Sequence, residues 1–306
     1  MLRCRVAIES KPLAKNQIEI LRAPSLARIP WLAHGFSTRT GGVSKVYGGS
    51  ALNLGYTSHD SKSAVDRNRK LFARTAVVNR ANGRRRRSSE DWPLITGKQI
   101  HSDIVHCVSD PPDHVLAGDG LITRTPGILL AVLTADCLPI IVVDTRLHAV
   151  GVFHAGWRGT LKRIAEKGVG EMRRQFGSRP TDLKAAIGPG IRACCYQVGA
   201  EIRDKFDGQF SYAKELFRET KESDEVRQKY PLLFLSARAP GHSELPQKIF
   251  LNLAEANWRQ LIEAGVPAKN VFDLDQCTSC RPDLFFSHRA EEGVTGRMIA
   301  AVGLTY

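Results

Sequence analysis

Two aliphatic runs at the centre of the chain, Ile128 to Leu133 and Ile140 to Val143, constrain the fold most. A third, Ala149-Val-Gly-Val-Phe-His154, follows at once. Strands this short that are apolar at every position must be covered on both faces. The chain must therefore build a central β structure with further layers on either side. The first two runs are split by Ala135-Asp136-Cys137-Leu138-Pro139, which places Asp136 and Cys137 at a turn between strands. His154 falls at the end of the third run.

Weaker β signals occur at His34 to Val43, Leu94-Ile95, Ile104 to Val108, Leu183 to Ile187, Val271 to Leu274 and Met298 to Leu304. The Phe285-Phe286 pair also reads as a strand. Helical spacing appears from Asp66 to Val78, from Val198 to Phe206 and from Leu245 to Ala264. Leu161, Ile164, Ala165, Val169, Met172 and Phe176 mark one amphipathic helix with Thr160 as its N-cap. That helix start would turn free amide N–H groups toward His154. No repeat or linker divides the chain, so one α/β domain over residues 1–306 is expected, with a basic loop insertion at 79–91.

The 306 residues are 42% hydrophobic, enough for a sizeable core, and no apolar stretch is long enough to span a bilayer. The start, Met1-Leu-Arg-Cys-Arg5, lacks the apolar core of a secretory signal, so a cytoplasmic, membrane-free protein is expected. The formal charge is +13, with four of the positive charges in Arg84 to Arg87. That run has no interleaved aromatics and reads as a solvated loop, so nucleic acid is disfavoured as a partner. The basic balance suits an anionic substrate. Seven cysteines, an odd number, argue against a disulfide framework. Among them, Cys277-Thr-Ser-Cys280 reads as local packing; a structural zinc site with Cys194-Cys195, or a redox dithiol, is the less favoured alternative.

His101, Cys137 and His154 are the donor set of a catalytic zinc: two imidazoles and a thiolate, leaving room for a fourth ligand. Their long spacing suits ligands delivered by separate strands. Each His taken singly fits a hydrogen-bonded structural role as well. A second reading keeps Cys137 metal-free as a nucleophile with His154 as its base and Asp136 as the orienting group. Arg39, Arg158, Arg289 and Arg297 stand beside turns and glycines, where a guanidinium suits phosphate, while each taken singly fits a surface or structural role as well.

An ordered set of motifs now becomes specific. It comprises Gly35-Phe-Ser-Thr-Arg-Thr-Gly-Gly42, Leu52-Asn-Leu-Gly55, Gln99-Ile-His101, Gly118-Asp-Gly-Leu-Ile122, Thr134-Ala-Asp-Cys-Leu-Pro139 and His154-Ala-Gly-Trp-Arg-Gly159. It continues with Ile187-Gly-Pro-Gly-Ile191, Cys195-Tyr-Gln-Val198, Phe285-Phe-Ser-His-Arg289 and Thr295-Gly-Arg297. Over a core of about 34–304 the chain resembles the YfiH-like, laccase-domain family of purine nucleoside phosphorylases. The family usually carries Tyr where this chain has His288.

The resemblance implies a single-domain α/β (α+β) sandwich, with mixed central β layers flanked by helices. That fold is also similar to the Cys–His deamidating toxins of the cytotoxic-necrotizing-factor type. The resemblance further implies a zinc on His101, Cys137 and His154, a site that also accepts copper. The implied activity is phosphorolysis of adenosine, inosine, guanosine and methylthioadenosine, with adenosine deamination beside it. The partners would be purine nucleosides and inorganic phosphate. Arg39, Asn53, Arg158 and Arg289 are then expected to contact phosphate or nucleoside, and Asp136 to shuttle a proton. The alternatives are a metal-free Cys137–His154 hydrolase and a non-enzymatic binding protein that docks an acidic partner through Arg84–Arg87. The older laccase label lacks support, because multinuclear copper sites need His-x-His pairs and the nine histidines form none.

Overall fold

The computed structural model describes residues 18–77, 92–221 and 247–305. The central runs form strands, and every residue of two of them is buried. In chain order the strands are β1 (Ile20–Leu21), β2 (Leu32–Ser37), β3 (Thr40–Ser44), β4 (Leu94–Thr96), β5 (Val105–Cys107), β6 (Gly120–Thr123), β7 (Leu129–Thr134), β8 (Leu138–Asp144), β9 (Ala149–Ala155) and β10 (Leu183–Ile187). They continue as β11 (Gln197–Val198), β12 (Phe217–Lys221), β13 (Gln247–Leu251), β14 (Val271–Asp273) and β15 (Met298–Leu304). The helices are α1 (Pro24–Ala27), α2 (Lys62–Val77), α3 (Trp157–Leu161), α4 (Ile164–Phe176), α5 (Ala200–Asp207), α6 (Ala213–Leu216) and α7 (Leu253–Glu263).

The single domain expected from the sequence divides into two compact units. Described residues within Met1–Arg192 and Leu253–Tyr306 form the first, and those within Ala193–Asn252 the second. The second unit is a three-stranded sheet, β11-β13-β12, with α5 and α6.

The first unit holds two mixed sheets, ordered β1-β2-β15-β7-β4 and β14-β10-β8-β9-β6-β5. Side chains alternate across a strand, so each strand of the first sheet feeds two layers. Phe36, Leu130, Val132, Ala300 and Val302 pack against Ile141, Val143, Val150 and Val152 of the second sheet. Ala33, Leu129, Ala131, Ile299 and Ala301 pack on the other side against Phe72, Ala73 and Ala76 of α2. The far face of the second sheet is covered by α4, which lies on β9 and in turn against α7. The approach is close: a Cβ on Gly168 of α4 would fall 2.5 Å from the Phe153 ring. The result is a helix–sheet–sheet–helix sandwich, the expected α/β fold class.

Strand register sets up the site. In the β8–β9 hairpin Leu138 pairs with Ala155 and Pro139 with His154, so Cys137 arrives opposite Gly156. In the β6–β9 pair Gly120 faces Phe153, and the His154 N–H donates to the Asp119 carbonyl at 2.7 Å. Cys137, His154 and Asp119 thus meet at one end of the second sheet.

Local structure departs from the sequence reading in three described places. The helix expected from Thr160 to Phe176 is two helices, broken where Arg163 takes a left-handed φ of 64°. Gly156 is its N-cap, while Thr160 is buried and takes hydrogen bonds from Asn257 and Gln260 of α7. Gln247–Leu251 is a strand rather than the start of a helix, because its apolar residues pair across a sheet. Phe285 and Phe286 are fully buried in a turn segment, not a strand. The 79–91 loop with Arg84–Arg87 and most of the irregular stretch before Leu245 lie outside the described residues.

Candidate metal centre

The structure brings His101, Cys137 and His154 together. One donor atom from each lies within 4.8 Å of the others. Cys137 Sγ is 4.0 Å from His101 Nε2, and the two imidazole rings meet edge to face at 5.0 Å. Tetrahedral zinc with one sulfur and two nitrogen ligands spaces such atoms roughly 3.4–3.6 Å apart. The cluster is slightly wider than that, and an ion would draw it in. Gly156 leaves the room. A Cβ there would lie 2.8 Å from Cys137 Sγ and 3.1 Å from His101 Cδ2. The donor set and this cradle both fit a metal ion with an open coordination position.

A carboxylate with no role in the sequence reading holds the cluster. Asp119, 1% exposed, accepts the His154 Nδ1–H on Oδ1 at 2.8 Å. The same oxygen accepts the His101 backbone N–H at 3.1 Å. Its Oδ2 accepts the N–H groups of Ile100 at 3.1 Å and Ser102 at 2.6 Å, and the Ser102 hydroxyl at 2.7 Å. The bond from Nδ1 turns Nε2 of His154 to the cluster, and that nitrogen gives up its own proton when it ligates. Sequence reasoning could have found Asp119 by asking which buried carboxylate orients the histidine ligands; Gly118-Asp-Gly120 is such a site.

Electrostatics follow from these contacts. Burial pushes the Cys137 thiol up, but the imidazolium of His154 and a hydrogen bond with His101 outweigh it and bring the thiol down to about 6. Burial pushes His154 down, and the Cys137 thiolate together with Asp119 raises it to about 9. Asp119 feels the same burial, yet His154 and Ser102 hold its carboxyl well below the usual carboxylate range. A thiolate is therefore present at neutral pH, ready for a metal ion or for nucleophilic attack.

The remaining expected residues separate. Arg158 is exposed, two residues past Gly156, with its guanidinium 4.4 Å over the Trp157 ring. Arg289 is exposed, and its backbone N–H donates to Asp136 Oδ2 at 2.7 Å. Asp136 takes a left-handed φ of 88°, and its Oδ1 accepts the Thr278 hydroxyl at 2.6 Å. With both oxygens engaged, Asp136 ties the Arg289 segment to the Cys137 turn; proton transfer there would need one of these bonds released.

Two expectations are corrected by the structure. Asn53 is fully buried. Its amide donates to the Gly55 carbonyl and Asp60 Oδ2, and its oxygen accepts the N–H groups of Gly55 and Arg297, leaving nothing for a nucleoside. Arg39 donates to the carbonyls of Pro282 and Tyr47 at 2.6 and 2.9 Å, pairs with Glu291 at 3.1 Å and stacks over Phe286. Its guanidinium stitches loops together and has little left for phosphate.

Fold and site together define a two-sheet α/β sandwich carrying a His–Cys–His cluster at one sheet end. Residues 33–305 match the family described as multi-copper polyphenol oxidoreductase laccase, and the chain belongs to that family. It is 34% identical over 278 residues to the purine nucleoside phosphorylase YlmD of Geobacillus stearothermophilus, covering 88% of this chain and 89% of that protein. It is also 34% identical over 218 residues to the adenosine deaminase RL5 of an unknown prokaryotic organism, covering 68% and 74%. The crystal structure of YlmD from Geobacillus stearothermophilus matches with a TM-score of 0.75 at 31% identity, over 97% of this chain and 98% of that one. The Bacillus licheniformis hypothetical protein YfiH matches at a TM-score of 0.72 and 31% identity, over 90% and 93%. This chain is an enzyme of the same family.

Proposed function

We propose that this enzyme cleaves purine nucleosides with inorganic phosphate and deaminates adenosine, using zinc held by His101, Cys137 and His154. The observation that carries the reading is the convergence of those three donors beside Gly156. The names of the relatives supply the reaction class. Adenosine, inosine, guanosine and methylthioadenosine are the proposed nucleosides, and copper is the alternative ion for the same donors. When bound, the ion supplies Lewis-acid polarisation at its open position.

In phosphorolysis a phosphate oxygen bonds to the ribose anomeric carbon as the bond to the purine nitrogen breaks, giving ribose 1-phosphate and free base. Deamination adds water to adenosine and releases ammonia. Arg158, exposed and two residues past Gly156 in the chain, is the candidate to neutralise phosphate, and Arg289 is the second. Asp136 fixes the Arg289 backbone beside Cys137. Asp119 accepts the Nδ1–H of His154 and so turns Nε2 to the reacting side. None of the described cysteines forms a disulfide, and among the described residues no helix is long and apolar enough to cross a membrane. Both fit the cytoplasmic setting proposed here.

The test is hypoxanthine release from inosine and phosphate. His101→Ala or Cys137→Ala should lower turnover more than about 100-fold, beyond the range typical of groups that only support ligands. Undiminished turnover in either variant contradicts the reading.

One observation favours a second reading. Asp119, His154 and Cys137 form a carboxylate–imidazole–thiolate chain, the arrangement of a cysteine hydrolase. That enzyme would be inactivated by thiol alkylation and indifferent to chelators, whereas the metal-loaded enzyme loses activity to chelators and has its Cys137 thiolate shielded from alkylation by the ion.

A further inference from the structure

One carboxylate oxygen serves both histidines of the site. Asp119 Oδ1 accepts the Nδ1–H of His154 and the backbone N–H of His101, which lie on segments otherwise far apart in the chain. His101 has φ 57°, a left-handed conformation that a non-glycine residue adopts at a cost. Its reason is local. The successive N–H groups of Ile100, His101 and Ser102 all turn onto the Asp119 carboxylate. Successive amides wrapped round an anion form a nest, and here the anion is the chain's own side chain. The Asp119 backbone adds to the clamp: its carbonyl accepts the His154 N–H at 2.7 Å, and its N–H donates to Ile104 at 3.0 Å.

We propose that Asp119, supported by Ser102, is the positioning residue that sets the tautomer of the His154 imidazole and fixes the His101 backbone that delivers the other, so that metal affinity depends on its charge. This rests on the reading of His101, Cys137 and His154 as metal ligands. Two consequences follow from hydrogen-bond valence. The side chain of Asp119 accepts five donors and offers none. An asparagine has one acceptor oxygen and an NH₂ group. Placed on the Ser102 side, its NH₂ meets N–H donors and the nest opens, releasing the strained turn at His101. Placed on the histidine side, its NH₂ donates to Nδ1, so His154 carries its proton on Nε2 and loses the lone pair that ligates. Either orientation spoils one imidazole arm while leaving all three ligands in the chain.

The experiment is competition for Zn²⁺ between a chromophoric chelator and the purified protein. It is read beside thermal unfolding and the visible absorption of the Co²⁺-substituted form. The parent should bind Zn²⁺ and give a thiolate-to-cobalt band. Asp119→Asn should bind about 10–100-fold more weakly, the range typical of supporting groups, with an altered cobalt spectrum. Ser102→Ala keeps the carboxylate and removes one donor, so it should weaken Zn²⁺ by a smaller factor than Asp119→Asn, with the fold retained. Should Asp119→Asn not fold, Ser102→Ala decides: weaker binding supports the clamp, and unchanged affinity contradicts it. Parent-like affinity and cobalt spectrum in a folded Asp119→Asn overturn the inference and leave the metal centre standing. A parent that binds no Zn²⁺ or Co²⁺ overturns the metal centre and the inference with it.

Discussion

Two buried histidines, His34 and His154, sit on facing sheets and behave in opposite ways. His34 is 1% exposed on β2, and its position between Leu32 and Phe36 turns it to the inter-sheet core. His154 is 4% exposed at the end of β9. Burial alone disfavours the charged form of both. What separates them is the company. The charge of Arg22 adds to the burial of His34 and takes it down to about 3. At His154 the Cys137 thiolate and Asp119 overcome burial and lift it to about 9. A histidine closed into the core is a neutral filler. A histidine whose Nδ1 is taken by a carboxylate presents its other nitrogen for chemistry.

Gly156 offers the sharpest way to break this contrast. In Gly156→Ala the new methyl group would meet Cys137 and His101 while touching nothing near His34. Zn²⁺ affinity and turnover should fall about tenfold or more, comparable to losing a supporting group, with little loss of stability. Wild-type affinity would mean the three donors do not converge on one ion.

The thiol half of the site gives a smaller, pH-resolved effect. A lowered pKa means the thiolate persists as pH falls, until about 6. Alkylation of Cys137 in metal-free protein should therefore be half-maximal near that pH, well below the usual thiol range, and saturating Zn²⁺ should suppress it. A midpoint at an ordinary thiol value would separate Cys137 from His154.

At neutral pH the mildest effect belongs to His34. Its lowered pKa contributes stability that is complete above its ordinary value of 6.5 and is lost as pH falls toward about 3. His34→Leu should flatten that acid limb in urea melts at successive pH values and leave turnover intact. An unchanged limb would show that His34 is not what the acid limb reports.

Much of the core was legible because burial leaves a mark on residue type. Runs with no polar position, such as Ile140 to Val143, had to become two-sided strands, and β7, β8 and β9 fall where the apolar pattern puts them. The His101, Cys137 and His154 trio could be picked out because two of them flank the central apolar runs and all three lie in the ordered motifs, and the structure brings their donor atoms together. Asp119 was not, because its role depends on β6–β9 register, which places it against His154. Asn53 and Arg39 misled for the complementary reason: polar residues beside glycine turns look available until their backbone partners are known. The break at Arg163 carries no glycine or proline to announce it. Gln247–Leu251 joined the α7 pattern because short apolar segments fit both periods, and it is pairing with β11 and β12 that tells them apart.

The central claim is that three distant side chains share one ion. Its most direct test is metal content of the purified protein by plasma mass spectrometry, parent against His101→Ala and Cys137→Ala. The account predicts one zinc, or one copper, per chain in the parent and its loss in both variants. A metal-free parent that still turns over inosine, or variants that keep a full equivalent, would contradict it.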